Sequence, residues 1–263
     1  MIDYHIHSNF SSDSTMDMDS ACKRAIALGL TEIAFTDHID IDYPDPIYTF
    51  QLNIPEYLEA IERAQHLNRD IKIRKGIEVG IQPHVLDDTL DLIKDYTFDF
   101  VIASVHGVNG EDLFNGEYFR SRTTDRAYED FFRELLAMVE KFSVFNVIGH
   151  LDSVALYNPQ PLVYNHCCDE LLDRLLMLLI SRGKGLEINT SGYRRQPKGP
   201  IPSLDIIKRY HRLGGEIITM GSDAHRLQHI GFKFEPIFEK LKEMGIKYIT
   251  TFEEMKPKQV PIP

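Results

Sequence analysis

The sequence opens with Met1-Ile2-Asp3-Tyr4-His5-Ile6-His7, in which apolar residues at positions 2, 4 and 6 alternate with polar residues at positions 3, 5 and 7. This period of two predicts a β-strand. His5 and His7 then lie side by side at the carboxyl end of the strand, and residues 8–14 have the composition of a loop. Neutral imidazole is the commonest protein ligand of metal ions, so the pair indicates a candidate metal site. A bare His-x-His motif also matches by chance, so the rest of the sequence must support it.

Strand and helix patterns alternate through the remaining sequence. Predicted strands cover 32–36, 71–79, 99–105, 144–149, 184–189, 216–222 and 247–251, and predicted helices cover 17–28, 54–67, 87–96, 125–142, 169–182, 203–213 and 234–244. Short connections between such units imply parallel strands with helical crossovers. Seven or eight units favour a closed barrel over an open doubly wound sheet, which would carry a glycine-rich turn after its first strand. The absence of linkers and repeats predicts a single domain over residues 1–263.

Composition and charge limit the possible partners. The 263 residues are 43% hydrophobic, enough for a large core, and carry a formal net charge of −11. An acidic surface repels a long polyanion, so broad DNA or RNA binding is disfavoured, whereas a small phosphorylated substrate held through metal ions remains compatible. No apolar run reaches the length of a membrane span and no signal peptide precedes His5. With three cysteines that lack zinc-ribbon or redox spacing, this predicts a cytoplasmic protein without a membrane partner.

Candidate metal ligands concentrate at the ends of the predicted strands. The residues at or just past a strand's carboxyl end are His5, His7, His38, Glu78, His106, His150, Asp223 and His225. In a parallel barrel these ends converge on the face where active sites lie, so the placement predicts a metal centre. One ion takes about four to six ligands, which indicates more than one ion, with Glu78 as the candidate bridge. Clustered divalent ions suit phosphate ester hydrolysis because they activate water and hold phosphoryl oxygens.

Other acidic residues near the strand ends are assigned lesser roles. Asp37 adjoins a candidate ligand and is expected to orient ligands rather than to bind metal itself. Three further carboxylates are interpreted as solvated loop charge: Asp40, Asp42 and Asp45. The long segments 40–51 and 109–122 are predicted loops on the catalytic face, where specificity usually resides.

Six short motifs follow one another at these strand ends. They are His5-Ile6-His7, Thr36-Asp37-His38, Gly76-Ile77-Glu78, Ser104-Val105-His106, Gly149-His150 and Gly221-Ser222-Asp223-Ala224-His225. In this order they resemble the PHP (polymerase and histidinol phosphatase) superfamily of metal-dependent phosphoesterases. Residues 186–195, and Asp13 where many members carry a third early histidine, are similar to the monofunctional histidinol-phosphate phosphatases of that superfamily. The resemblance implies a distorted (β/α)7 barrel of parallel strands, with the strand at 247–251 outside it.

The resemblance also implies three metal ions and a set of ligands for each. One ion would be held by His5, His7, Glu78 and Asp223, a second by Glu78, His106 and His150, and a third by Asp13, His38 and His225. A carboxylate at Asp13 should favour a harder ion there, iron or manganese, beside zinc. Two or three divalent ions are therefore the expected cofactors.

The expected reaction is hydrolysis of a phosphate monoester. The resemblance implies L-histidinol phosphate, a small phosphorylated amino alcohol of histidine biosynthesis, as the substrate. A metal-bridging hydroxide near Glu78 is expected to attack phosphorus, while Asp223 or a metal-bound water protonates the leaving oxygen. His225 is the third residue assigned to catalysis.

Four residues at or after the end of the sixth strand of the barrel are expected to bind the substrate. Guanidinium groups suit a dianionic phosphate, and the two adjacent arginines cannot be distinguished from sequence. The four are Asn189, Ser191, Arg194 and Arg195.

Three other functions remain open. Amidohydrolases also open with His-x-His, but they usually place lysine or a bridging acid at the fourth strand, whereas Glu78 comes earlier. A PHP enzyme acting on nucleotide or oligonucleotide diesters is disfavoured by the acidic charge. A metal-stabilised binding module is disfavoured by the intact ligand set. A monomer or a small homo-oligomer is expected.

Overall fold

The computed structural model describes residues 1–158, 166–195 and 199–263, except the side chain of His166. The strands are β1 (Ile2–Ile6), β2 (Glu32–Phe35), β3 (His38–Asp40), β4 (Lys72–Gly80), β5 (Phe100–Ser104), β6 (Gly107–Val108), β7 (Glu111–Asp112), β8 (Val147–Ile148), β9 (Gly185–Asn189), β10 (Ile218–Gly221), β11 (Tyr248–Glu253) and β12 (Lys256–Pro261). The α-helices are α1 (Met18–Ala27), α2 (Ile54–Leu67), α3 (Leu86–Ile93), α4 (Thr124–Lys141), α5 (Ser153–Tyr157), α6 (Asp169–Ser181), α7 (Leu204–Arg212) and α8 (Phe234–Glu243). Short 3-10 helices cover Glu117–Phe119, His166–Cys168, Ser191–Arg194 and Leu227–His229.

The main sheet is parallel and nearly closed. Its order is β1-β2-β4-β5-β8-β9-β10, and β3 continues the position of β2 by pairing with the second half of β4. The sheet therefore has seven positions. Its two ends meet just beyond β1 and β10, where the backbone N–H of His7 donates to the carbonyl of Ala224 at 2.9 Å. The predicted distorted (β/α)7 barrel is confirmed.

Helix starts follow their capping residues. Asp17, Asn53 and Thr123 each accept a backbone N–H from the first turn of the helix that follows, α1, α2 and α4 respectively. Apolar faces then fix where the helices pack. One cluster of buried side chains joins the strands to α4, α6, α7 and α8, and a second packs α1 and α2 against β1 and β2. No helix in the described ranges is long and apolar enough to cross a membrane.

The amino end of the barrel is filled by side chains. The ring of Tyr4 packs 4.9 Å from Phe100, whose ring lies 5.2 Å from that of Phe252. The Tyr4 hydroxyl and the Arg74 guanidinium both donate to the Glu32 carboxylate, at 2.5 and 2.6 Å. This plug leaves the carboxyl end as the open face of the barrel.

The structure confirms the placement of one predicted strand and shortens another. The strand predicted at 247–251 lies outside the barrel, as expected, because β11 pairs antiparallel with β12 in a separate two-stranded sheet. The strand predicted at 144–149 is reduced to the two residues of β8. Just before β8 the side-chain oxygen of Asn146 accepts the backbone N–H of Val101 at 2.8 Å, while the Asn146 N–H donates to the Val101 carbonyl at 2.8 Å. The predicted loop at 109–122 contains the second strand of the β6–β7 hairpin and a 3-10 helix.

The described residues form one barrel, and the single domain over residues 1–263 stays a prediction.

Candidate metal centre

The first group of candidate ligands surrounds the end of β1. His5 Nε2 lies 3.0 Å from His7 Nε2 and 3.1 Å from Glu78 Oε2. His7 Nε2 lies 3.4 Å from both Glu78 Oε2 and Asp223 Oδ1. Asp223 has a backbone φ of 52°, which turns the chain sharply after β10 toward this point. The four side chains thus aim their ligand atoms at one small space.

Two further groups of candidate ligands share this space. The second is Glu78, His106 and His150, and the third is Asp13, His38 and His225. Glu78 Oε1 lies 3.0 Å from His150 Nε2 and 3.4 Å from His106 Nε2, so the two oxygens of one carboxylate face different groups. The third group is nearer to solvent. There the Oδ2 atom of Asp13 lies 3.0 Å from the Nε2 atom of His225. All nine predicted ligands therefore meet at the carboxyl end of the barrel.

The donor atoms fit divalent metal ions. Among the described residues, four clusters bring three imidazole or carboxylate atoms within 4.8 Å of one another. His38 Nδ1 lies 3.1 Å from Glu78 Oε2, yet this buried nitrogen makes no hydrogen bond to any residue that the structure describes. A buried polar atom without a partner is costly, and a cation between these atoms would satisfy it. Imidazole with carboxylate suits zinc, iron and manganese.

The electrostatic environment puts several candidate ligands in the protonation state that metal binding requires. Burial, with the positive charges of His225 and His38, lowers the pKa of His7 to about 3, which leaves the ring neutral at pH 7. Burial opposes ionisation of Glu78, but three neighbouring imidazoles outweigh it and hold its pKa well below the usual value. The pKa of Asp223 is also well below its usual value, since the charge of His5 and a hydrogen bond from His7 overcome burial. Neutral imidazole and ionised carboxylate are the states that bind metal. Burial opposes protonation of His5, His38, His106 and His225, but nearby carboxylates outweigh it and raise the pKa of each, so a metal ion would displace their protons on binding.

Comparison with known proteins identifies the family. Residues 3–191 match the family model of the PHP domain. A histidinol-phosphatase of Lactococcus lactis subsp. lactis (strain IL1403) is 35% identical over 259 residues, which cover 97% of this chain and 95% of that protein. The chain belongs to the PHP domain family. The resemblance carried by the six motifs is thereby confirmed.

Two solved structures resemble the structure of this PHP domain over most of its length. The crystal structure of histidinol phosphate phosphatase from Lactococcus lactis subsp. lactis Il1403, complexed with zinc, L-histidinol and phosphate, has a TM-score of 0.90 at 34% identity and covers 98% of both chains. A putative histidinol phosphatase from Listeria monocytogenes has a TM-score of 0.81 at 20% identity, over 90% of this chain and 99% of that one. The second likeness shows the fold alone.

Asp40 belongs to the site of this PHP domain, and its interpretation as solvated loop charge is wrong. Its side chain is buried, and Oδ1 lies 2.7 Å from His106 Nδ1. Gly80 makes room for it, because a Cβ there would lie 1.7 Å from Asp40 Oδ1. The period of two places residues 38 and 40 on one side of a strand, but the polar sequence that follows concealed this signal. Asp42, by contrast, is exposed.

Asp37 acts on the ligands through a serine. Its Oδ1 atom accepts the hydroxyl of Ser11 at 2.6 Å, and the Oγ atom of Ser11 lies 3.3 Å from His7 Nδ1. The backbone N–H and hydroxyl of Ser8 also donate to Asp37, at 2.7 and 2.8 Å. The Oγ atom of Ser11 also accepts the backbone N–H of His38 at 3.1 Å, so Asp37 reaches both His7 and His38 through this serine, and its orienting role stays a prediction. A second buried acid, Glu187, was not among the predicted site residues, although it lies 2.6 Å from His5 Nδ1.

The four predicted substrate residues differ in what their side chains do. Arg194 donates to the backbone carbonyls of Ser222 and Asp223, at 2.8 and 2.9 Å. Asn189 is also engaged within the protein, since its oxygen accepts the backbone N–H of Ser191 at 2.8 Å. Ser191 is itself buried.

Arg195 is the exposed member of this set. Its guanidinium carbon lies 5.0 Å from the ring centroids of both Phe114 and Tyr157. Stacking against rings orients a guanidinium while leaving its N–H groups available to a ligand. Within the described residues, its guanidinium makes no hydrogen bond.

Proposed function

We propose that this PHP domain is a metal-dependent phosphatase that hydrolyses L-histidinol phosphate to L-histidinol and phosphate. The observation that carries the proposal is the meeting of nine imidazole and carboxylate side chains, Glu78 among them, at the open end of the barrel. The solved relative with zinc, L-histidinol and phosphate, at 34% identity over 98% of both chains, supports both the metal and the substrate. The histidinol-phosphatase name of the 35% identical relative supports the same activity.

The proposed cofactors are two or three divalent ions, zinc with iron or manganese. Their ligands are the three sets already described: His5, His7, Glu78 and Asp223; Glu78, His106 and His150; and Asp13, His38 and His225. When bound, such ions lower the pKa of water and offset the charge that develops on the phosphoryl group. Glu78 serves two sets because each of its oxygens faces a different one.

The chain's own residues define how a phosphate ester approaches. The side chains of Asp223 and His225 are 19% and 26% exposed, whereas His5 and Glu78 are at 0% and 1%. The reacting group therefore enters beside Asp223 and His225, above a floor of buried ligands. Among the described residues, neither Cys167 nor Cys168 belongs to a cluster of candidate metal ligands, so we assign no protein nucleophile.

We propose that the guanidinium group of Arg195 binds the phosphate group of the substrate. Replacing Arg195 by alanine should raise KM for phosphate esters by about tenfold or more, because a charge-assisted hydrogen bond to phosphate is lost. Arg194→Ala should act differently, lowering kcat and metal content, since Arg194 holds the backbone carbonyl of Asp223. Steady-state kinetics with metal analysis separates the two. Unchanged KM in Arg195→Ala would remove Arg195 from the substrate site.

The proposed partners are small molecules. A net charge of −11 supports a small substrate rather than a nucleic acid. A cytoplasmic location and a monomeric or small homo-oligomeric state belong to the same proposal. Cys22 is a buried free thiol, the state that a reducing compartment maintains.

The substrate assignment is tested by a phosphate-release screen. The zinc- or manganese-loaded protein is assayed with sugar, nucleotide and amino-alcohol phosphates, including L-histidinol phosphate, and with a nucleotide diester. We expect the highest kcat/KM for L-histidinol phosphate and no release from the diester. A preference for another monoester would refute the substrate, and activity on the diester alone would refute the reaction class.

A further inference from the structure

Glu187 lies beneath the metal ligands and contacts two of them. It is on β9, its side chain is 1% exposed, and its Oε1 atom lies 2.6 Å from His5 Nδ1. Its other oxygen accepts the backbone N–H of His150 at 2.9 Å and the side-chain amide of Asn189 at 3.2 Å. His5 and His150 belong to different ligand sets, so one buried carboxylate supports both.

The surrounding backbone is shaped to hold this carboxylate. A Cβ on Gly221 would lie 2.0 Å from Glu187 Oε1 and 2.6 Å from the Cβ of His5. Only glycine fits at this position on β10 without displacing one of the two side chains. The carboxylate therefore has a fixed place against the ring of His5.

The contact decides which ring nitrogen of His5 carries a proton. An ionised carboxylate accepts hydrogen bonds and cannot donate them. At 2.6 Å from Glu187, the Nδ1 atom of His5 must be the donor. The Nε2 atom, 3.1 Å from Glu78 and 3.0 Å from His7 Nε2, is then the one that offers a lone pair to a metal.

We propose that Glu187 is a positioning residue that fixes His5 in the Nδ1–H form and so presents Nε2 to a metal ion. The proposal rests on the metal centre of the proposed function but not on its substrate. A carboxylate that holds the outer N–H of a ligating imidazole typically contributes about 10–100-fold to metal affinity or activity.

Replacing Glu187 by glutamine tests its hydrogen bonds without changing the size of its side chain. Glu187→Gln keeps the size of the side chain but has one acceptor where the site needs two. If the amide oxygen faces the His150 N–H, the amide NH2 faces His5 and favours the opposite tautomer, whose Nε2 is protonated and cannot bind metal. If the amide is reversed, its NH2 opposes the donors of His150 and Asn189. Either orientation weakens the site.

A matched control comes from the other end of the barrel. Glu32 is also a buried carboxylate that accepts two side-chain donors, Tyr4 and Arg74, but it lies in the plug and contacts no candidate ligand. Glu32→Gln reports the general cost of altering a buried carboxylate in this barrel.

The first measurement is zinc affinity of the full-length protein by competition with a chromophoric chelator, together with thermal unfolding of the metal-free protein. We expect Glu187→Gln to bind at least one zinc ion about 10–100-fold more weakly than wild type, while Glu32→Gln keeps wild-type zinc affinity even if its Tm falls. Wild-type zinc affinity in a folded Glu187→Gln protein would overturn the proposal.

The second measurement uses the wild-type protein and does not depend on a variant that folds. In zinc-loaded protein labelled with 15N-histidine, the resonances of His5 should show a protonated Nδ1 and a zinc-bound Nε2. A protonated Nε2 with zinc at Nδ1 would contradict the proposal. Neither readout involves a phosphate ester, so failure here is distinguishable from failure of the proposed reaction.

Discussion

Replacing Glu78 by glutamine is expected to lower kcat/KM for phosphate monoesters by about a thousandfold or more, which corresponds to about 4 kcal/mol of lost transition-state stabilisation. The two Glu78 oxygens lie 3.1 Å from His5 Nε2 and 3.0 Å from His150 Nε2, so this carboxylate joins two ligand sets. A neutral amide removes the negative charge that both sets share. Phosphate release under saturating zinc, with elemental analysis of the purified variant, measures the effect.

The Glu78 prediction needs a control for stability. Glu32→Gln alters a carboxylate that is also buried but lies at the plugged end, and it should retain its metal ions and most of its activity. The account of Glu78 fails if the Glu78→Gln protein keeps its full metal content and hydrolyses the ester at the rate of the Glu32→Gln protein.

Replacing Asp223 by asparagine is expected to lower kcat by about a hundredfold to a thousandfold, and by the same factor for alkyl and aryl phosphates. The reason is the ionisation state of Asp223. Its Oδ1 atom lies 3.4 Å from His7 Nε2 in the first group of candidate ligands, and a carboxylate that binds a metal ion is ionised and has no proton to give. The structure therefore favours a ligand over the proton donor that the sequence suggested.

Leaving-group dependence decides between these two roles. An alkyl ester needs protonation of its leaving oxygen, whereas a nitrophenyl ester with its acidic phenol does not. A much larger loss on L-histidinol phosphate than on the nitrophenyl ester would restore the proton donor. Metal content of the Asp223→Asn protein must be measured alongside, since an equal loss on both esters should accompany weaker metal binding.

The convergence of the candidate ligands was predictable because two regularities act together. The period of two in β1 places His5 and His7 on one side of the strand, and a parallel barrel brings all carboxyl ends of its strands to one face. Neither regularity needs knowledge of which strands are neighbours. For this reason Glu78, His106 and His150, far apart in sequence, could be assigned to one site.

The supporting residues were hidden because they depend on packing across the barrel. Glu187 lies inside a strand between Leu186 and Ile188, and only the order β9-β10, with β10 meeting β1, brings it under His5. Asp40 was missed because Thr36 and Asp37 separate β3 from β2, and a polar loop follows β3. The adjacent Arg194 and Arg195 diverge because the 3-10 helix ends between them, a change of direction that composition does not reveal.

The most direct test of the central claim is a metal titration of metal-free protein, with phosphate release from L-histidinol phosphate as the readout. Nine candidate ligands in three sets, two of which share Glu78, predict no activity without metal. Activity should rise with added zinc or manganese and reach a plateau at two to three equivalents per chain. Equal phosphate release before and after removal of the metal would contradict the account.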